Sequence, residues 1–177
     1  MKINKTKLHI TIYVVAIIFL GFSFSRIFLK PAEKISSSSA PLFASVINDP
    51  DGKPQNLKQF QHKTIVLNFW ATWCKPCLQE LDAFNDLTET WKKETPARII
   101  AISIDDSRTA SGIKKTAGLH DWSFEVFWDE NQDLKRALNI SLIPHTLVID
   151  RKGVIVKRYT AYVPGNEEKI LSLLKTL

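Results

Sequence analysis

Thr64-Ile65-Val66-Leu67-Asn68-Phe69-Trp70-Ala71-Thr72-Trp73-Cys74-Lys75-Pro76-Cys77 is the stretch on which the fold turns. Residues 64–70 are a near-continuous apolar run of strand length, the composition of a strand buried on both faces. Ala71-Thr72-Trp73 makes a turn. Pro76 then opens a helix, at a position where a missing backbone N–H is harmless and a fixed φ helps. Cys74 and Cys77 are the only two cysteines in 177 residues. A bridge closing so small a loop constrains the unfolded chain little and is a poor staple. A Cys-x-x-Cys where a strand meets a helix start reads as a redox pair.

Beyond the pair, helical spacing continues to about Lys93, with Leu81, Phe84, Thr88 and Trp91 along one face. Residues 97–104 are a second apolar strand, and a polar, helical stretch covers about 107–119. Phe124 to Trp128 is a short strand, Asn131 to Leu138 a short helix, and residues 146–150 a third core strand. Arg151-Lys152-Gly153 turns the chain, and Val154 to Thr160 runs back antiparallel. Asn166 is expected to cap a last helix, with Ile170, Leu173, Leu174 and Leu177 facing in. Strands alternating with helices and closing in a hairpin indicate an α/β sheet covered on both faces.

Upstream, Asp49-Pro50-Asp51-Gly52-Lys53 is a turn. The folded unit is expected to span 42–177. Residues 31–41 read as a serine-rich linker without periodicity. Residues 1–30 hold an uncharged stretch, Ile10 to Ser25, with lysines before it and Arg26 after. A span needs roughly 20 apolar residues, and this stretch reaches the short end of that range. An uncleaved membrane anchor is the favoured reading. A cleaved signal peptide is the alternative, for which Ser23-Phe24-Ser25 is a poor cut site. Either one places the folded unit outside the cytoplasm, where disulfides persist. Of the formal charge of +6, five positive charges and no acid fall in residues 1–30, leaving about +1 for the rest. A phosphate-gripping surface is therefore absent from the charge balance, and a nucleic-acid partner is excluded.

Phe69-Trp70-Ala71-Thr72-Trp73-Cys74-Lys75-Pro76-Cys77 resembles the active-site segment of the thioredoxin superfamily, and in detail its TlpA/ResA-like branch of membrane-tethered thiol–disulfide oxidoreductases. Asp51-Gly52-Lys53 with Asn56-Leu57 is similar to that branch's N-terminal hairpin. Asp129 to Ile140 is similar to its extra segment. Residues 143–150, Ile143-Pro144-His145 onward, resemble the superfamily's cis-proline loop and the strand after it. The resemblance covers about Pro41 to Leu177. It implies a thioredoxin-like α/β fold, a central mixed sheet flanked by helices with an N-terminal β-hairpin extension, on an N-terminal transmembrane helix. It also implies a reductant of disulfides in exported proteins, apocytochrome c among them, served by a membrane thiol-reducing donor. No cofactor and no metal are expected. Asn68 stands where cytoplasmic thioredoxins carry a buried Asp, and the branch's helix glutamate matches Glu80. Asp82 stands where a proline is frequent, and His145 where Thr is more usual.

Thiol exchange needs a thiolate. Cys74, at a helix start and beside Lys75, is expected to be the exposed nucleophile, with a pKa below the ~8.5 of free cysteine. Cys77, one turn deeper, is the resolving thiol. Glu80, three residues on along the same face, is the candidate acceptor of its proton, against the plainer reading of a first-turn dipole partner. Trp73, Pro76, Ile143 and Pro144 are the candidate substrate-binding residues; the resemblance implies that a cis bond at Pro144 presents the Ile143 backbone to a substrate chain. Trp70, Trp91, Trp122 and Trp128 read as packing. Asp105 and Asp106 follow a strand, where a functional carboxylate is possible, but a helix cap by Asp106 or Ser107 is favoured. The reading from a different class is a soft-metal (copper) chaperone using Cys74, Cys77 and His145. His62, His120 and His145 lie scattered in the sequence.

Overall fold

The structure, a computed structural model, describes residues 39–177. The expected anchor, residues 1–30, and most of the linker lie outside the described residues. Among the described residues no helix is long and apolar enough to cross a membrane.

The elements in chain order are α1 (Ala40–Ala44), β1 (Val46–Asn48), β2 (Pro54–Asn56), a 3-10 turn (Leu57–Phe60), β3 (Ile65–Trp70), α2 (Lys75–Glu94), β4 (Arg98–Ser103), α3 (Ser111–Leu119), β5 (Glu125–Trp128), α4 (Asp133–Ala137), β6 (His145–Ile149), β7 (Ile155–Thr160) and α5 (Asn166–Leu174). The strands make one seven-stranded sheet in the order β2-β1-β5-β4-β3-β6-β7. β3 runs parallel to β4 and antiparallel to β6. This is the thioredoxin-like mixed sheet with its N-terminal hairpin, β1 and β2, added at one edge.

β3 sits near the centre, and all six of its residues are buried. That is why its sequence shows no alternation: both faces are covered. α2 lays Cys77, Glu80, Leu81, Phe84, Thr88 and Trp91 against the sheet, at the spacing that keeps one helical face inward. Lys92 and Lys93 close its last turn, where cations offset the helix dipole. Between β1 and β2, Asp49 Oδ1 accepts the N–H groups of Asp51 and Lys53. Gly52 there takes φ +80°, a conformation open chiefly to glycine.

Three expectations are corrected. The packed unit reaches ahead of the expected start at Leu42. Ser39, expected in the linker, is fully buried and donates through its amide and its hydroxyl to the Gly153 carbonyl, at 3.0 and 2.8 Å. This pairing lets a helix too short to be read from composition dock through the fully buried Leu42. Gly165, at φ +89°, occupies the cap position of α5, and Asn166 is its first helical residue. Leu177 lies beyond the helix and is exposed, while Ile170 and Leu174 face the core.

Candidate active site

β3 delivers the chain to the site and α2 carries it away. Cys74 is the cap residue of α2, and Cys77 lies in its first turn. The two sulfurs are joined in a disulfide, with Cα atoms 5.3 Å apart. Cys77 is fully buried. Cys74 is 7% exposed, so the expected exposed thiol is in this oxidised form only the more accessible of the pair, its sulfur drawn toward Cys77. The position of Cys74 still places its sulfur at the positive end of a 20-residue helix, which favours the thiolate once the bridge opens. Trp73 beside it is 64% exposed, and Lys75 and Pro76 face solvent.

The pairing of β3 with β6 puts Phe69 opposite His145. The preceding loop, Ile143-Pro144, is thereby held at the same end of the sheet as the disulfide. The Ile143–Pro144 bond is cis. The Pro144 carbonyl accepts the Ala161 N–H. Among the described residues the Ile143 amide and carbonyl form no hydrogen bond. The sequence-predicted residues Cys74, Cys77, Trp73, Pro76, Ile143 and Pro144 thus gather at one end of the molecule's sheet.

Glu80 is 1% exposed and lies one turn beyond Cys77 on the inward face. Its Oε2 accepts from Asn68 Nδ2 at 2.6 Å and from Thr146 Oγ1 at 3.1 Å, and Asn68 Nδ2 also reaches Thr146 Oγ1 at 2.8 Å. Burial pushes the Glu80 carboxyl up to about 7 against the pull of those two hydrogen bonds, with a smaller push from Glu167. Burial disfavours the charged form of a carboxyl. A dipole partner on an exposed first turn would not show this burial. Asn68 Oδ1 is buried and has no partner among the described residues.

The role of Asp105 was underweighted by the sequence. Its fully buried carboxylate accepts the Thr72 N–H at 2.9 Å, the Thr72 hydroxyl at 2.6 Å and the Ser103 hydroxyl at 2.7 Å. It therefore clamps the turn that leads into Cys74. α3 begins at Ser111, so neither Asp106 nor Ser107 caps it; Asp106 instead accepts the Arg108 N–H in a local turn. The signal available beforehand was a polar Ser-x-Asp at the end of a core strand, facing the Ala71-Thr72 turn across the parallel register of β3 and β4. Trp70 and Trp91 are core as expected, Trp122 packs edge-on against Trp70, and Trp128 donates to the Asp105 carbonyl.

Asp82, at the missing helix proline, accepts from His120 Nδ1 and Trp122 Nε1 and ties α2 to the end of α3. His145 is buried, and that burial pushes its pKa down. Its neighbour Thr146 points to Glu80, and strand alternation sends His145 to the opposite face. Among the described residues no group of three or more His, Cys, Asp or Glu side chains could hold a metal ion while Cys74 and Cys77 are bridged.

The family model described as Redoxin matches residues 35–174. Among curated proteins, the chain is similar to the thiol-disulfide oxidoreductase ResA of Bacillus cereus (strain ZK / E33L), 31% identical over 159 residues, covering 89% of each chain. ResA of Bacillus subtilis (strain 168) is 31% identical over 151 residues, covering 84% of this chain and 81% of the relative. Among solved structures, a thioredoxin-like protein from Porphyromonas gingivalis superposes with a TM-score of 0.67 at 37% identity, covering 78% of this chain and 92% of that one. StoA from Bacillus subtilis superposes at 0.59 and 17% identity, over 72% of this chain and 95% of that one, a likeness of fold.

Proposed function

The chain belongs to the Redoxin family and, within it, to the ResA-like thiol–disulfide oxidoreductases, and from this premise we propose that it reduces disulfides in exported proteins while held at the outer face of a membrane. The observation that carries the reading is the Cys74–Cys77 disulfide at the tip of α2 with the buried Glu80 carboxyl one turn behind it.

In the reduced chain, the Cys74 thiolate attacks one sulfur of a substrate disulfide. A mixed disulfide forms, and the first substrate sulfur leaves as a thiolate and takes a proton from water. The Cys77 thiol then gives its proton to the Glu80 carboxylate and attacks Cys74 Sγ. The second substrate sulfur leaves as a thiolate, the substrate has gained two electrons, and the chain is oxidised to the bridged form. A membrane thiol donor returns it to the dithiol. An acceptor with a pKa of about 7 is matched to this transfer at neutral pH. Trp73, Pro76, Ile143 and Pro144 receive the substrate chain, and the unpaired Ile143 backbone supports a short strand-like contact. The apolar stretch 10–25 supports the tether, and apocytochrome c is a fitting substrate class.

The test is turnover of a mixed panel of protein disulfides by the reduced full chain. Cys74→Ser is expected to abolish it. Glu80→Gln is expected to lower it about 10²-fold, the usual loss on removing a general base, and to accumulate the mixed disulfide. Unchanged turnover in Cys74→Ser removes the proposal. A dithiol reduction potential at or above that of glutathione would contradict the direction of electron flow.

A further inference from the structure

At the end of the sheet away from the disulfide lies an open cleft of about 360 Å³, lined by Ser39, Ala40, Phe43, Ala44, Lys58, Gln61, His62, Arg151, Lys152 and Gly153. The polarity of the sheet fixes this placement. β3 runs from Ile65 toward the disulfide, and Ile65 pairs with Ile149. Residues 58–62 precede β3, and 151–153 follow β6, so both groups lie at the opposite end.

We propose that this cleft binds the phosphate-bearing headgroups of an anionic bilayer. Four observations point there. The cleft gathers the cations Lys58, Arg151 and Lys152 with the His62 imidazole, and no acid lines it. None of the three cations is in an ion pair among the described residues. Asp150, the nearest acid in sequence, is occupied by the N–H groups of Lys152 and Val154. Residues 39–177 together carry only about +1, so the cluster is a local segregation of charge, not a general basicity.

The apolar share of the lining adds to the match. Ala40, Ala44 and the Phe43 ring line the cleft beside the cations, which suits the junction of a phosphate and a glyceride. The chain also enters the folded unit here. Ser39 lines the cleft, and the 38 residues before it contain the uncharged stretch 10–25. The inference rests on the tether reading given above. A polybasic surface beside a tether gains affinity for anionic lipid with each Lys or Arg it presents, and loses it within a Debye length. Its effect is to turn the disulfide away from the bilayer, toward partners in solution.

The full chain, reconstituted in nanodiscs of phosphatidylcholine with and without phosphatidylglycerol, is acylated at its lysines and read by mass spectrometry. Lys58 and Lys152 are expected to react about tenfold more slowly in the anionic discs, while Lys92 and Lys115 react alike in both. Arg151→Glu is expected to remove most of that protection at Lys58 and Lys152. Equal reactivity in the two discs overturns the proposal, as does undiminished protection in Arg151→Glu. Inorganic phosphate added to the phosphatidylcholine discs is expected to protect neither lysine; protection equal to the lipid's assigns the cleft to free phosphate and overturns the bilayer. Chain that leaves the discs on gel filtration sinks the tether and this proposal together. Disulfide turnover in the same discs is read separately: its loss with lysine protection intact defeats the oxidoreductase mechanism alone.

Discussion

Asp105 shows what one buried carboxylate does for a thiol that it does not touch. Three donors converge on it, two of them from Thr72, two residues before Cys74. Asp105→Ala leaves those donors without an acceptor, and a buried unsatisfied group costs about 1–3 kcal/mol. The variant is expected to lose about that much stability in urea titration and to show a raised KM in disulfide turnover, because the turn bearing Trp73 loosens. Asp105→Asn keeps an acceptor oxygen and the shape, and is expected to fall between Ala and the native chain in both measurements. A KM unchanged in Asp105→Ala would reduce the clamp to plain structural support. Asn68 belongs to the same scale. It was legible in the sequence as a departure from a buried Asp, but its use was not: the amide donates to Glu80 across β3 and α2, a contact between residues 12 apart on two elements that no local pattern reports.

At the scale of elements, the most legible were those with strong local signals. β3 and α2 follow from a near-continuous apolar run and a 3.6-residue period, and their bounds differ from expectation by at most one residue at either end. α1 was hidden because five residues in a serine- and proline-rich context carry no period, and its place is set by a partner 114 residues away. The N-cap of α5 was misassigned because Asn is the better cap by propensity, whereas the chain turns there through positive φ and Gly165 supplies it. The docking of α1 yields a prediction. Gly153 takes φ +78°, and a Cβ there would sit 3.1 Å from Ser39 Oγ. Gly153→Ala is expected to lower the unfolding free energy by about 1–2 kcal/mol from the backbone alone, with the Ser39 contact strained in addition. Leu42→Ala, removing a fully buried side chain, is expected to cost about 2–5 kcal/mol. Denaturation midpoints equal to the native chain's would mean that α1 is not part of the cooperative unit.

For the whole molecule, the Glu80 proton couples folding to pH. The folded-state value of about 7 lies above the ordinary 4.5. Between those values the folded chain holds a proton that the unfolded chain releases, so stability falls as pH rises through that window. The full difference is about 3 kcal/mol. Melting of the oxidised chain is therefore expected to be higher at pH 5 than at pH 8, with Glu80→Gln matching the native chain at pH 5 and exceeding it at pH 8. An identical pH dependence in both would show that Glu80 is ionised in the fold throughout. The overall α/β architecture was readable because strand and helix signals alternate along the chain; the edge hairpin came through family likeness, since β1 and β2 are three residues each and too short to announce themselves.

The chain comes in at Ser39, beside the turn after β6, and β3 then carries it six residues to the disulfide, a rise of about 20 Å. A bead, an electrode or a fusion partner attached ahead of Ser39 therefore meets the molecule at the foot of that strand. Protein coupled to a support in this way keeps its sulfurs facing the liquid, and captured mixed disulfides can be washed and eluted without the matrix in their path.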